Sequence, residues 1–269
     1  MVLRTLIRDC LYLNWALPVS ALPALPEPLR YETHAWRGEP YSFASALLFR
    51  NERLHLAAMP LVRLTYPQFN LRLCVLDVEG VPSVFFRCLL VPGWVLPSAR
   101  YFARQPVASG SFAYPRPSND PAAAGWSWSV RRRRRLEVSA RQSSPLVGEG
   151  PSLGSWEQAT TYFIQRRRGY AQRPGGLKKV DATHRPGAVW PVEVTIEDGS
   201  LLEEFLPLDG LPEWPRPHSA WLCPEIPLVF ELGSAALRAG VRRSTAPVAA
   251  DPAMFIPRPP EKRGGSAAA

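Results

Sequence analysis

The side chains of this 269-residue chain with the clearest capacity for chemistry are arginines set among apolar neighbours. Asn70 and Arg72 alternate with Phe69, Leu71 and Leu73, Arg87 follows Val84, Phe85 and Phe86, and Arg100, Tyr101 and Arg104 share a short aromatic stretch. A guanidinium taken out of water must meet a carboxylate, supplied by the protein or by a ligand. These six residues are therefore candidates for contact with an acid-like small molecule, although alternation along a strand turns roughly half of such groups to solvent. His184, close to Trp190 and Pro191, is a seventh candidate, with packing against Trp190 as its simpler role.

Catalytic groups are harder to find. His34, His55 and His218 are scattered, and no Ser-His-Asp or Cys-His arrangement stands out. Cys10, Cys74, Cys88 and Cys223 lie far apart with no CxxC pair, so neither a metal site nor a redox dithiol is signalled. Buried, reduced thiols in a cytoplasmic protein are the expectation, with no cofactor. Lys178 and Lys179, beside the Gly175-Gly176 turn, read as solvated hairpin residues pointing to opposite faces.

Charge offers a different reading. Arg131 to Arg135 and Arg166 to Arg168 interleave in sequence with Trp126, Trp128, Tyr162 and Tyr170, a pattern that suits phosphate contacts and base stacking. A basic surface module for nucleic acid or another polyanion is therefore the alternative function. No recognition helix, RRM or zinc finger accompanies the arginines, so a solvated exterior paired with Glu137 or Glu157 is the plainer expectation. The net charge of +9 permits a polyanion without requiring one. Lysine occurs only at Lys178, Lys179 and Lys262, leaving arginine to supply 29 of the 32 positive side chains, a bias that GC-rich coding also produces.

The elements that must position these groups are mainly strands. At 46% hydrophobic and 20% charged residues, the chain can bury a core without staples. Thirty prolines exclude a helical bundle, because interior proline breaks the helix ladder. Tyr41 to Phe49 reads as a strand, and Phe69–Val78 with Val81–Val91 as a hairpin turned at Glu79-Gly80. Gly110–Tyr114 is expected to pair with one long strand from Trp126 to Ala140, on which Arg132 and Arg134 continue the face of the tryptophans. Thr160–Gln172 and Gly176–Thr183 form a third hairpin.

Ser200 and Glu203 have the spacing of a capping box, with Pro207 ending that helix, and a shorter helical turn runs from Ser20 to Pro26. Asp9, Asn14 and Pro18 interrupt the apolar start, against a signal peptide, and no run of eighteen apolar residues predicts a membrane span. Residues 1–242 are expected to form one domain and 243–269 a disordered tail rich in Pro, Ala and Gly.

Several short motifs in order carry a family resemblance. Leu13-Asn14-Trp15, Ala16-Leu17-Pro18, Leu25-Pro26-Glu27-Pro28-Leu29, Phe69-Asn70-Leu71-Arg72 and Ala99-Arg100-Tyr101 resemble the YqjF-like domain of unknown function, and so does the segment from Tyr162 through His184 and Pro191 to Leu202. That domain is a distant branch of the acetoacetate-decarboxylase superfamily, and the likeness covers about residues 10 to 233. It implies a single mainly β acetoacetate-decarboxylase-like β-barrel with few short helices, holding a small-molecule ligand in an apolar interior.

The active decarboxylases use a lysine that forms a Schiff base, its amine pKa lowered by a neighbouring lysine and an apolar pocket. In the matching stretch here, Arg100 to Ala108, Val107 and Ala108 occupy the two lysine places, and Asn70 stands where the decarboxylases carry a glutamate. Neither Val107 nor Ala108 can form an imine. The resemblance therefore implies ligand binding without Schiff-base decarboxylation; the cysteine spacing and the lack of a long apolar run separately lead to the expectation of no metal and no membrane, and a homo-oligomer is left open.

Overall fold

The computed structural model describes residues 1–100, 107–114, 125–145, 148, 150–184, 187–208 and 214–237. Tyr101, Arg104 and the expected tail at 243–269 lie outside the described residues. Fourteen strands are described: β1 Val2–Pro18, β2 Arg30–Tyr31, β3 His34–Trp36, β4 Glu39–Leu56, β5 Met59–Leu76, β6 Pro82–Val91, β7 Ala108–Ser109, β8 Ser111–Ala113, β9 Trp126–Arg131, β10 Arg135–Gln142, β11 Arg168–Arg173, β12 Gly176–His184, β13 Trp190–Asp198 and β14 Ser219–Leu237. Three helices accompany them, α1 Leu96–Ser98, α2 Trp156–Ile164 and α3 Ser200–Phe205, none long and apolar enough to cross a membrane.

Strand pairing runs β1-β4-β5-β6-β11-β12-β14, and β14 pairs back onto β1, so this path of seven strands returns to its start. Six of these seven pairings are antiparallel; β6 and β11 run parallel. From β14 a second run leads through β13, β10 and β9 to β8. Period-two patterning gives the long strands two different faces. Leu11, Leu13, Trp15, Ala44, Leu48, Phe69, Leu71 and Leu73 form one core with Trp128, Val130, Leu136 and Val138 of the second run and Leu201 and Leu202 of α3. Cys10, Tyr12, Phe43, Leu47, Cys74, Trp221 and Cys223 point the other way and pack on Phe163 and Ile164 of α2.

The expected hairpin at 69–91 is present, with β5 beginning ten residues earlier, at Met59. Other expectations need correction. Trp126 to Ala140 is not one strand. It turns at Arg132–Arg134, where the Arg132 N–H bonds the Arg134 carbonyl at 2.9 Å, and returns as β10. Arg132 and Arg134 therefore do not continue the tryptophan face; Leu136, Val138 and Ala140 do.

Thr160–Ile164 is helical instead of extended. Ser155 caps α2 by accepting from the Gln158 N–H at 3.3 Å, while the Gln158 side chain accepts from the Ser155 N–H at 2.7 Å. At α3 the Ser200–Glu203 box does not form. Gly199 is the N-cap, Asp198 holds the Ser200 N–H at 2.9 Å, and the Ser200 hydroxyl donates to the Arg135 carbonyl instead. The turn expected from Ser20 is a single 3-10 turn, Val19–Ala21.

Asp77 builds the turn between β5 and β6. Its carboxylate accepts from the N–H groups of Glu79 and Val81, both at 2.9 Å, from Arg168 at 2.7 Å and from the Tyr170 hydroxyl at 3.1 Å. Burial opposes the charge, but these donors outweigh it and hold the carboxyl below the usual carboxylate range. A depressed native pKa contributes stability that is fully present above the unfolded value and is lost as pH falls through the native one. Urea melts of Asp77→Asn should therefore show a loss of about 2 kcal/mol at neutral pH and a shallower decline below pH about 4 than the parent chain. Equal acid limbs for the two proteins would remove Asp77 from this account.

Candidate functional site

A cavity of about 470 Å³ opens at one end of the seven-strand path. Leu3 of β1, Tyr66 of β5, Leu89 and Val91 of β6, Val180 of β12 and Phe230 and Leu232 of β14 contribute to its wall. These residues are adjacent only because the register of five strands brings them together; their sequence separations reach more than two hundred residues. Tyr66 is buried, which pushes its phenol up and keeps it protonated at neutral pH. Among the described residues, no lysine, arginine, cysteine, aspartate or glutamate lines the cavity.

Beside His55, Ser98 and Tyr66, the polar part of the lining is a chain of amides. Asn51 Nδ2 donates to Gln68 Oε1 at 2.9 Å, and Gln68 Nε2 donates to Asn70 Oδ1 at 2.8 Å. The Tyr114 hydroxyl fixes the middle of the chain by donating to the Gln68 carbonyl at 2.9 Å. Gln68, Asn70 and Arg72 stand at alternate positions of β5, so the next side chain on the same face after Asn70 is Arg72, roughly 7 Å further along the strand.

Arg72 is buried at 7% exposure. Its Nη2 donates to the Phe163 carbonyl at 3.0 Å, and its guanidinium lies 5.4 Å from the centre of the Tyr12 ring. Phe163 belongs to the last turn of α2, whose carbonyls lack partners within the helix, so the guanidinium caps the negative end of the helix dipole. Its Nε is buried without a partner, and among the described residues no carboxylate pairs with it.

The other candidate residues are placed differently. Arg87 donates twice to the Phe205 carbonyl, at 3.0 and 3.3 Å, and so caps α3 away from the cavity. Arg100 donates to the Val107 carbonyl at 3.4 Å, and Val107 and Ala99 both line the cavity. His184 ends β12. Desolvation holds its imidazole below the ordinary value, and repulsion from Arg72 and Arg167 adds to this against nearby backbone acceptors. Trp190, the packing partner expected for His184, lies against Trp126 instead, with ring centres 6.5 Å apart and the planes tilted by 33°. Tyr101 and Arg104 fall outside the described residues.

Asn51, Gln68 and Tyr66 were not among the candidates from sequence. Gln68 could have been found, since it precedes Asn70 and Arg72 in the same period of two. Asn51 had a fainter signal, a polar residue just beyond the apolar run that ends at Phe49.

Lys178 is buried at 8% exposure, which corrects its reading as a solvated residue. The reason is β14, which continues beside the hairpin so that Lys178 pairs with Ala236 as well as Ala171. Lys179 remains half-exposed, 3.3 Å from Asp181. The four cysteines are free and buried; desolvation pushes all four thiols up, which keeps them unreactive.

The arginine clusters are largely neutralised. Arg132 pairs with Glu204 at 3.0 Å, Arg134 with Glu203 at 2.7 Å and Arg135 with Glu137 at 2.8 Å, whereas Glu157 accepts from Ser155. Arg166 is buried against Glu32, and Arg168 sits between Asp77 at 2.7 Å and Glu79 at 2.5 Å. Trp126, Trp128 and Tyr170 are buried and offer no face for base stacking.

Comparison with known proteins agrees with this fold. The profile of DUF2071, described as "Uncharacterized conserved protein (COG2071)", matches residues 5–227. No curated protein matches. Among solved structures, an acetoacetate decarboxylase-like enzyme from Sphingomonas wittichii RW1 is similar with a TM-score of 0.58 at 14% identity, over 88% of this chain and 93% of that one. The enduracididine biosynthesis enzyme MppR with HEPES buffer bound gives 0.56 at 13% identity, over 88% of each chain. The same enzyme complexed with pyruvate gives 0.55 at 12% identity, over 85% of this chain and 88% of that one. At such identities the likeness is one of fold.

Proposed function

The chain belongs to DUF2071, a family of uncharacterized conserved proteins, and from that premise we propose that it binds a small organic acid with an apolar body between its strands, without Schiff-base chemistry. In this reading the seven-strand path is a β-barrel, residues 1–242 are one domain, and the cavity is the accessible part of the barrel interior. One observation carries the proposal: the cavity of about 470 Å³ has apolar walls and an ordered amide chain that leads toward an arginine without a carboxylate. That volume suits a small ligand, and an apolar wall with a few fixed polar groups is the usual form of such a site.

The apolar body occupies the space beside Tyr66, Leu89, Val180 and Phe230. The acid group lies at Asn70, where the Arg72 guanidinium compensates its charge and the buried cation gains the partner that the protein does not supply. Support also comes from MppR, a similar fold that has been solved with pyruvate. Among the described residues the wall carries Val107 and no lysine, so none of them offers an amine to condense with a carbonyl there. The polyanion reading finds no comparable support, because most of the clustered guanidiniums already have carboxylates and Trp126, Trp128 and Tyr170 are inside.

A thermal-shift panel tests this reading. Aliphatic and aromatic carboxylic acids of medium length should raise the melting temperature in proportion to the logarithm of their concentration, while alcohols with the same apolar body should do so less. No shift with any acid, or equal shifts with acid and alcohol, would defeat it.

A further inference from the structure

The rim of the cavity has a second property that a soluble ligand pocket does not require. Residues 57–62, the tip of the β4–β5 hairpin, read Ala-Ala-Met-Pro-Leu-Val, and all six are exposed. Leu61 is 91% exposed, Val62 58% and Met59 52%; Trp94, on the loop after β6, is 61% exposed. Met59, Val62 and Trp94 line the same cavity, so these apolar groups surround one opening instead of being scattered. Contiguous exposed apolar groups of this kind mark an interaction surface.

The charge on the hairpin tip and on the segment after β6 has one sign. From Arg53 to Leu76 and from Val81 to Asn119 the chain contains no aspartate or glutamate, while Arg53 and Arg63 flank the tip. Arg4 stands opposite His55 at the foot of the hairpin, and Arg100 follows the cavity residue Ala99. Among the described residues none of these four arginines forms an ion pair with a carboxylate. The Arg63 Nε donates to the Pro60 carbonyl at 2.9 Å, which holds its charge against the apolar tip. On the neighbouring strands, Glu52 is already bound to Arg8 at 2.8 Å, and Glu231 stands across from Val2.

We propose that this rim docks on an anionic phospholipid surface, with Leu61, Val62, Met59 and Trp94 entering the interface and Arg53, Arg63, Arg4 and Arg100 meeting the headgroups. Aliphatic residues and a tryptophan beside arginines form the combination that binds such an interface, where buried apolar area and attraction to anionic lipid add together. Docking at the mouth would bring the apolar cavity against the bilayer. The proposal does not depend on the ligand reading, because it concerns the rim and is tested without a cavity ligand.

The test is sedimentation of the full chain with vesicles of phosphatidylcholine alone or mixed with phosphatidylserine. The chain should pellet with the mixed vesicles, less with phosphatidylcholine alone, and less as salt rises. Arg53→Asn, chosen because asparagine tolerates the positive φ of 54° at that position, combined with Arg63→Ser should weaken binding by about 25-fold, at about fivefold per arginine. Leu61→Ser with Val62→Ser should weaken it by about tenfold and, at such exposed positions, leave the thermal melt unchanged. Brominated lipid should quench tryptophan fluorescence in the parent chain and much less in Trp94→Phe. Absence of pelleting at low salt would overturn the proposal. So would binding that the tip variants leave intact, which would place it on the Arg131–Arg135 turn, or self-association through the tip without vesicle binding.

Discussion

Replacing Glu32 by glutamine should destabilise the folded chain by about 3 kcal/mol, seen as a fall in melting temperature of about 10 °C. The cause is the guanidinium left behind. The Arg166 side chain is 2% exposed and pairs with Glu32, which is itself 17% exposed. Arg166 also donates from Nε to the Tyr162 carbonyl at 2.9 Å and lies 4.0 Å over the Tyr162 ring. It cannot escape the loss of its carboxylate by giving up a proton, because guanidinium stays charged at any pH that the fold survives. The full cost of an unpaired buried cation therefore appears in stability.

The pair also joins distant parts of the chain: Glu32 lies between β2 and β3, and Arg166 just after α2. Its loss should loosen the attachment of α2 to the strand ends. The exposed pair Arg141–Glu193, with side chains 75% and 48% exposed, is the control, and Arg141→Gln should cost about 0.5 kcal/mol or less. Denaturant melts that place Glu32→Gln within 1 kcal/mol of the parent, about the range of a surface pair, would contradict this account.

Arg72→Leu is the second large prediction, and it separates binding from stability. The substitution removes a buried cation that lacks a carboxylate, which favours the unliganded fold, and it also removes a cap from the last turn of α2, which opposes it. These contributions have opposite signs and similar size, so unliganded stability should stay within about 1 kcal/mol of the parent. Affinity for a stabilising carboxylic acid should fall by about 50-fold, the value of about 2 kcal/mol for opposite charges roughly 7 Å apart at an effective dielectric of about 20. An acid that binds Arg72→Leu as tightly as the parent would reduce Arg72 to a helix cap. The alcohol analogue should lose little affinity, which distinguishes loss of charge recognition from damage to the cavity wall.

Sequence legibility followed the local physics closely. The alternation of Phe69, Leu71 and Leu73 with Asn70 and Arg72 marked β5, because one face meets a large apolar core and the other carries polar groups. The Glu79-Gly80 turn was visible for the same local reason, although the anchoring role of Asp77 was not. The β9–β10 turn was hidden because Arg132, Arg133 and Arg134 include no glycine, proline or asparagine to mark it. Thr160, Thr161, Tyr162, Phe163 and Ile164 favour strand by type, and α2 forms there because its cap and the burial of Phe163 and Ile164 outweigh that preference.

The site was legible in part. Asn70 and Arg72 stood out as polar residues among apolar ones, but the same argument selected Arg87, which caps α3. Which buried arginine stands beside the cavity residues depends on the register of strands far apart in sequence, and no local pattern carries that information. Lys178 shows the same limit. Its exposure is decided by β14, whose pairing with β12 lies more than fifty residues further along the chain.

The most direct test is a crystal structure of the chain grown with the carboxylic acid that stabilises it most. The account predicts electron density for the apolar body between Tyr66, Leu89, Val180 and Phe230, with the carboxylate at the Asn70 amide and toward Arg72. Density for the acid elsewhere, with this cavity empty or closed by side chains, would contradict it.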